Sequence, residues 1–227
     1  SVSYEPVYIK SHDNKKLFAR FYYFEDNAPV AICFHGWHGS AIRDFCGGTK
    51  LLFELKYNVL IVDQRGQWNS QGHTISFGIK ERFDVLSWIN YVKERFGNDV
   101  KISLYGVSMG SATVLMSTAL NLPSNVKAII ADCPYTSGKD IIKKVCKNDM
   151  KLPYAVLKPF IFASAFILAH FNLNDKNTYI PNAVKNTKIP ILIIHGEEDS
   201  FVPCYMSKEI ADANQKYITR VTFPNAD

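Results

Sequence analysis

The sequence predicts an α/β domain, a mostly parallel sheet of eight strands with helices on both faces. Three observations carry this. Short runs rich in Ile, Val and Leu alternate with longer stretches of helical periodicity. The middle runs, at 30–34, 59–62, 101–105 and 191–194, are almost continuously apolar, as strands covered on both faces must be. Finally, 227 residues of which 47% are hydrophobic are enough for one continuous core.

In chain order the expected strands are 7–10, 17–23, 30–34, 59–62, 101–105, 126–131, 191–194 and 218–223. Between the fourth and fifth, Ile79, Phe83, Leu86, Ile89, Val92 and Phe96 recur at three- and four-residue spacing, which predicts a sheet-packing helix over 79–96. A second helix follows Ser108 through Ala112, Val114, Leu115 and Ala119 and stops at Pro123. Residues 137–188 form an insertion longer than an ordinary crossover, rich in aromatics and Pro, and are expected to act as a lid on a single domain spanning 1–227. Within it, 160–171 is an apolar run of about a dozen residues, short of the ~20 needed to span a bilayer. Lys158-Pro159 interrupts it upstream, so it is expected as a buried or interfacial helix.

The net charge of +5 comes from basic residues scattered among nearly as many acids, with no basic arm or base-reading motif, which argues against a nucleic-acid partner. Five widely spaced cysteines offer neither a C-x-x-C pair nor metal-ligand spacing. Reduced thiols fit a cytoplasmic protein. The chain starts at Ser1 without Met, which leaves room for a removed upstream segment that exports or anchors it.

The chemistry gathers at three places. Gly106-Val107-Ser108-Met109-Gly110 lies between a strand and a helix, the setting in which a serine is raised on a sharp turn as a nucleophile. The bland alternative is that Ser108 only caps its helix. His35-Gly36-Trp37-His38-Gly39-Ser40 follows the third strand, where a loop can supply one of two N–H donors to an oxyanion; the expected donors are the amides of Trp37 and Met109. His35 is read as a structural histidine of that loop, and His38 and His73 as loop residues. His195-Gly196-Glu197-Glu198-Asp199 follows a buried strand, and Asp199 sits where the acid of a Ser, Asp, His order belongs. Its rival, Asp132, is read as a polar anchor near the site.

Together these motifs, with Asp63-Gln64-Arg65-Gly66 and the phrase running from His195 to Pro203, resemble the α/β-hydrolase superfamily over nearly the whole chain. The resemblance is narrower to the bacterial esterase-like branch grouped with the serine aminopeptidase S33 domain. It implies a Ser-His-Asp triad, hydrolysis of an ester or amide through an acyl-enzyme, a small-molecule substrate, no cofactor and no metal. Such relatives read D-x-R-G-H-G-x-S where this chain has Gln67-Trp68-Asn69-Ser70, which predicts a reshaped loop at the site mouth. They also place the histidine after the last strand in a phrase like F-P-x-A-x-H-G, whereas Phe223-Pro224-Asn225-Ala226-Asp227 stops one residue short of it.

None of the six histidines occupies the position of a base, so no catalytic histidine is assigned. A modest hydrophobic ester is the expected substrate, with Tyr154, Leu157, Phe160, Phe162, Phe166 and Leu168 either lining its pocket or packing the insertion onto the body. A peptide amide, or binding without turnover, is the alternative. The chain reads as a truncated form, expected to be nearly inactive and less stable than one extended through the next histidine; comparable ester turnover by the two would refute this.

Overall fold

The computed structural model describes residues 3–227. Its strands are β1 (Glu5–Lys10), β2 (Lys16–Tyr22), β3 (Val30–Phe34), β4 (Asn58–Asp63), β5 (Ile102–Val107), β6 (Val126–Asp132), β7 (Ile191–Gly196) and β8 (Ile218–Phe223). They form one sheet in the order β1-β2-β4-β3-β5-β6-β7-β8. β1 and β2 run antiparallel at one edge, and β4, β3, β5, β6, β7 and β8 are mutually parallel. Each expected strand is present, and β5 and β7 run further than expected, to Val107 and Gly196, into the motifs that carry the chemistry.

Alternation along the strands divides the core. Val30, Ile32 and Phe34 of β3 join the larger cluster, while Ala31 and Cys33 point to the smaller one. On the smaller side lies α1 (Ala41–Glu54), whose Ala41 and Phe45 close over Cys33, Val59 and Ile61. Pattern reading did not anticipate α1, because Gly47-Gly48 and a largely exposed surface dilute its stripe. Ser40 caps it, its Oγ accepting the Arg43 N–H at 3.2 Å.

The larger side holds α2 (Glu81–Phe96) and α3 (Met109–Ser117), every residue of which is buried. The inward face of α2 is Val85, Trp88, Ile89 and Val92; Phe83 and Leu86, expected on that stripe, are half-buried on its flank. A second unanticipated helix, α7 (Tyr205–Asp212), adds Met206 and Ile210 to this core.

The insertion contains α4 (Gly138–Lys144), a π-turn over Val145–Asp149, α5 (Tyr154–Ile167) and α6 (Ile180–Val184). Arg82 ties it to the body through Asp175 at 2.9 Å and the Asn177 carbonyl at 3.0 Å, and Lys80 through the Ala169 carbonyl at 2.7 Å. Pro159, which interrupts the apolar run in the sequence, sits inside α5, where its missing N–H removes one helical bond. The insertion's apolar side chains do not all pack: Phe160, Phe166 and Leu168 are 70%, 66% and 76% exposed. Among the described residues, no helix is long and apolar enough to cross a membrane.

Trp88 is the largest side chain fully buried against the sheet. Trp88→Ala is expected to cost about 3–5 kcal/mol of stability, read as a lowered urea midpoint.

Candidate active site

Ser108 stands between β5 and α3 with φ 52° and ψ −112°, a backbone conformation that costs a non-glycine residue about 1–3 kcal/mol. The surroundings leave it no choice. A Cβ on Gly110 would collide with the Phe34 carbonyl, and one on Gly106 with the backbone of Gly110 and Ser111. The turn is also tethered to its neighbour strand: the Ser108 N–H donates to the Asp132 carbonyl at 2.8 Å, and the Ser111 hydroxyl lies between the carbonyls of Gly106 and Asp132.

The His35–Ser40 loop rests against this turn, close enough that a Cβ on Gly36 would touch the Cβ of Ser108 at 3.4 Å. Asp44, in the first turn of α1, accepts the Gly36 N–H at 2.7 Å and fills the space where a Gly39 side chain would go. Among the described residues, the Trp37 and Met109 amides have no protein acceptor. Met109 opens α3, where the unpaired N–H groups carry the positive end of the helix dipole.

His35 is fixed at both nitrogens. Its Nδ1–H donates to the Gly36 carbonyl at 2.7 Å, and its Nε2 accepts the Gln64 N–H at 3.1 Å. Burial pushes its pKa down, so the ring is a neutral strut with no free position for proton transfer. The unusual Gln67-Trp68 pair reinforces the same loop: Gln67 Oε1 accepts the His38 N–H at 3.0 Å, and Trp68 Nε1–H donates to the Gly39 carbonyl at 2.5 Å. Below them Asp63 accepts from Arg20 and Asn69, and Arg65 bridges Asp84 and Asp13.

Asp199 lies past β7, two strands from β5, on the same edge of the sheet as Ser108. Its Oδ1 accepts the N–H groups of Phe201 at 2.9 Å and Val202 at 2.7 Å, and its Oδ2 lies 3.4 Å from His195 Nε2. Burial alone would raise this carboxyl, but those hydrogen bonds outweigh it and hold it below the ordinary carboxylate range. Asp132, at the end of β6 between the two, shifts the opposite way: burial raises its carboxyl, and the charge of Asp199 adds to the rise. His195 is wholly buried, its Nε2–H donating to the Val202 carbonyl at 2.8 Å.

A cavity of about 230 Å³ opens at Ser108. Trp37, Phe77, Met109, Tyr135 and Phe201 wall it from the body, and α4 with the π-turn closes it with Ile142, Val145 and Cys146. Of the two readings of the six apolar insertion residues, lining or packing, none lines this cavity, while Tyr154 is buried and Phe162 packs inward; the lining comes from the segment just before them. Sequence reading missed Asp44, which only the glycines at 36 and 39 could have signalled, and Phe201, which stacks on Trp37 at 6.5 Å between ring centres. Among the described residues, His12, Asp13 and Asp84 lie close enough to share a cation, but Arg65 already bonds both carboxylates.

The alpha/beta hydrolase fold family profile matches residues 29–162, and the serine hydrolase (FSH1) profile matches residues 104–226. The chain is 26% identical over 153 residues to the uncharacterized protein YqkD of Bacillus subtilis, covering 67% of this chain and 50% of that protein. It is 27% identical over 192 residues to lysophosphatidylserine lipase ABHD12 of Danio rerio, covering 83% and 48%. With protein bem46 of Schizosaccharomyces pombe it shares 26% over 207 residues, covering 89% and 63%. The chain thus spans between about half and just under two thirds of these relatives' length. Among solved structures, the Pyrococcus furiosus esterase Pf2001 matches with a TM-score of 0.74 at 22% identity, covering 97% of this chain and 82% of that one. Est1E of Butyrivibrio proteoclasticus bound to ferulic acid matches with 0.68 at 22%, covering 96% and 89%. At such identity these two show a shared fold. The chain belongs to the α/β-hydrolase fold family and, within it, to the serine hydrolases.

Proposed function

We propose that the protein hydrolyses a carboxylic ester with a modest hydrophobic acyl or aryl group, through an acyl-enzyme on Ser108. The observation that carries this reading is the apolar cavity that opens at a strained serine turn. Ser108 Oγ attacks the ester carbonyl and gives its proton to a general base. The oxyanion that forms is held by the N–H groups of Trp37 and Met109, and collapse expels the alcohol. Water then releases the acid. Asp199, kept ionised by its hydrogen bonds, orients the base and stabilises its charged form.

A peptide amide of the S33 aminopeptidase kind fits less well, because the cavity at Ser108 has no carboxylate in its wall to hold an amino terminus. The lipase among the relatives and the esterases among the structural neighbours favour an acyl ester.

The base is proposed to follow Asp227, as the resemblance implies. The Glu198 N–H donates to the Ala226 carbonyl at 2.9 Å and the Ser200 N–H to the Asp227 carboxylate at 2.9 Å. Ala226 and Asp227 are thereby held against the loop that bears Asp199.

In protein that carries this histidine, a fluorophosphonate probe is expected to label Ser108 and Ser108→Ala to abolish labelling; unchanged labelling of the alanine form would move the nucleophile elsewhere, and no labelling of either would favour a binding domain. The cavity yields a second expectation. Val145→Trp should lower kcat/KM for an octanoyl ester roughly tenfold or more while sparing the acetyl ester, since each lost methylene site is worth about 1–3 kcal/mol.

A further inference from the structure

We infer that α5 docks the protein on the surface of an anionic lipid bilayer, lying in the interface without crossing it. The inference concerns binding, and it stands whether or not Ser108 turns over an ester.

The helix has two apolar faces where an ordinary surface helix has one. Tyr154 and Ala165 turn inward and are buried. Val156, Phe160 and Ile167 share the opposite face, at spacings of four and seven residues, and are 62%, 70% and 63% exposed. Phe166 and Leu168 widen the strip, and Lys158 is the sole charged residue between Tyr154 and Ile167. Water contact with so contiguous an apolar strip is unfavourable by about 25 cal/mol per Å², so a covering surface is expected.

Charge identifies that surface. Residues 139–158 contain six lysines against two aspartates, and of these acids Asp149 is already paired with Lys144 at 2.8 Å. Lys143 and Lys147, which also border a polar cavity walled in part by Asp140, Asp175 and Glu209, and Lys151 are exposed and, among the described residues, form no ion pair. The twenty residues that lead into and begin α5 thus carry a net +4. Apolar side chains flanked by lysines match a layer whose interior is hydrocarbon and whose headgroups are anionic. With 14 residues, α5 is too short to span a bilayer.

Shortly before α5, Met150 is 59% exposed and at the same time lines the cavity at Ser108.

The test is co-flotation of the protein with vesicles of phosphatidylcholine alone, and of phosphatidylcholine with roughly a third phosphatidylserine. Flotation is expected with the anionic vesicles and should weaken as salt is raised. Phe160→Asp with Ile167→Asp should reduce partition roughly a hundredfold, and Lys143→Glu with Lys147→Glu and Lys151→Glu at least about tenfold on anionic vesicles. Circular dichroism checks that each variant is folded. Phe160→Trp reports on the same face without adding charge: its emission should move to shorter wavelength with anionic vesicles. The inference is overturned if the unaltered protein stays at the bottom of both gradients, if the paired aspartates leave flotation unchanged, or if sedimentation reveals a dimer that they dissociate while vesicles are ignored.

Discussion

The close approach of α3 to the end of β3 is the constraint on which the rest of the site depends. Only a residue without a side chain at position 110 lets the first turn of α3 pass the Phe34 carbonyl. Once it passes, the chain between β5 and α3 must reverse within one residue, and that residue is Ser108 at φ 52°. The strain there is maintained by surroundings that are themselves rigid: parallel neighbours on both sides of β5, a hydrogen bond from Ser108 to β6, and a helix buried at every residue. The same crowding brings Gly36 against Ser108, so the Ser108 turn and the His35–Ser40 loop are positioned by one contact.

A buried polar layer keeps that contact in register. His35, Gln64 and Thr113 are hydrogen-bonded into one group between β3, β4 and α3. Its members are hidden from water, and a half-satisfied network there would be worse than none. Arg65 extends the layer to α2 through Asp84. The loop that departs from the usual D-x-R-G-H-G-x-S phrase fits this picture, since Gln67 and Trp68 use side-chain groups to hold the backbone of the His35–Ser40 loop. What reads as a loss of the family pattern is here a different brace for the same loop.

The sheet was legible because buried parallel strands are written in continuous Ile, Val and Leu, and the serine turn because its glycines stand at fixed offsets around Ser108. The helices were less so. α1 has only Ala41 and Phe45 buried, and α7 is eight residues long, so neither shows a sustained stripe. The insertion was legible only in part for a physical reason. Hydrophobicity says that a side chain avoids water but not what covers it: Tyr154 and Phe162 of α5 pack inward, while Phe160 and Phe166 are covered by neither the cavity nor the body. The residues that do wall the cavity, Ile142, Val145 and Cys146, lie among lysines that drew attention away from them.

Those lysines and apolar residues divide one helical segment into two surfaces. From α4 through the π-turn, Ile141, Ile142, Val145 and Cys146 face the space at Ser108, while Lys139, Lys143 and Lys147 border a separate polar cavity of about 610 Å³. The extra residue of a π-turn shifts the helical phase, which lets a short segment keep apolar contact on one side as it bends. Low polarity near Ser108 strengthens every N–H aimed at a developing oxyanion, so the wall that selects an acyl group also raises the value of the Trp37 and Met109 amides in the proposed reaction. Asp199 lies beyond that wall, its pKa held down against burial by hydrogen bonds from His195 and from the Val202 and Phe201 N–H groups, while burial raises that of Asp132. Two carboxylates on one sheet edge are thus driven apart in pKa by their surroundings, and the one held lower is the one proposed to orient a histidine.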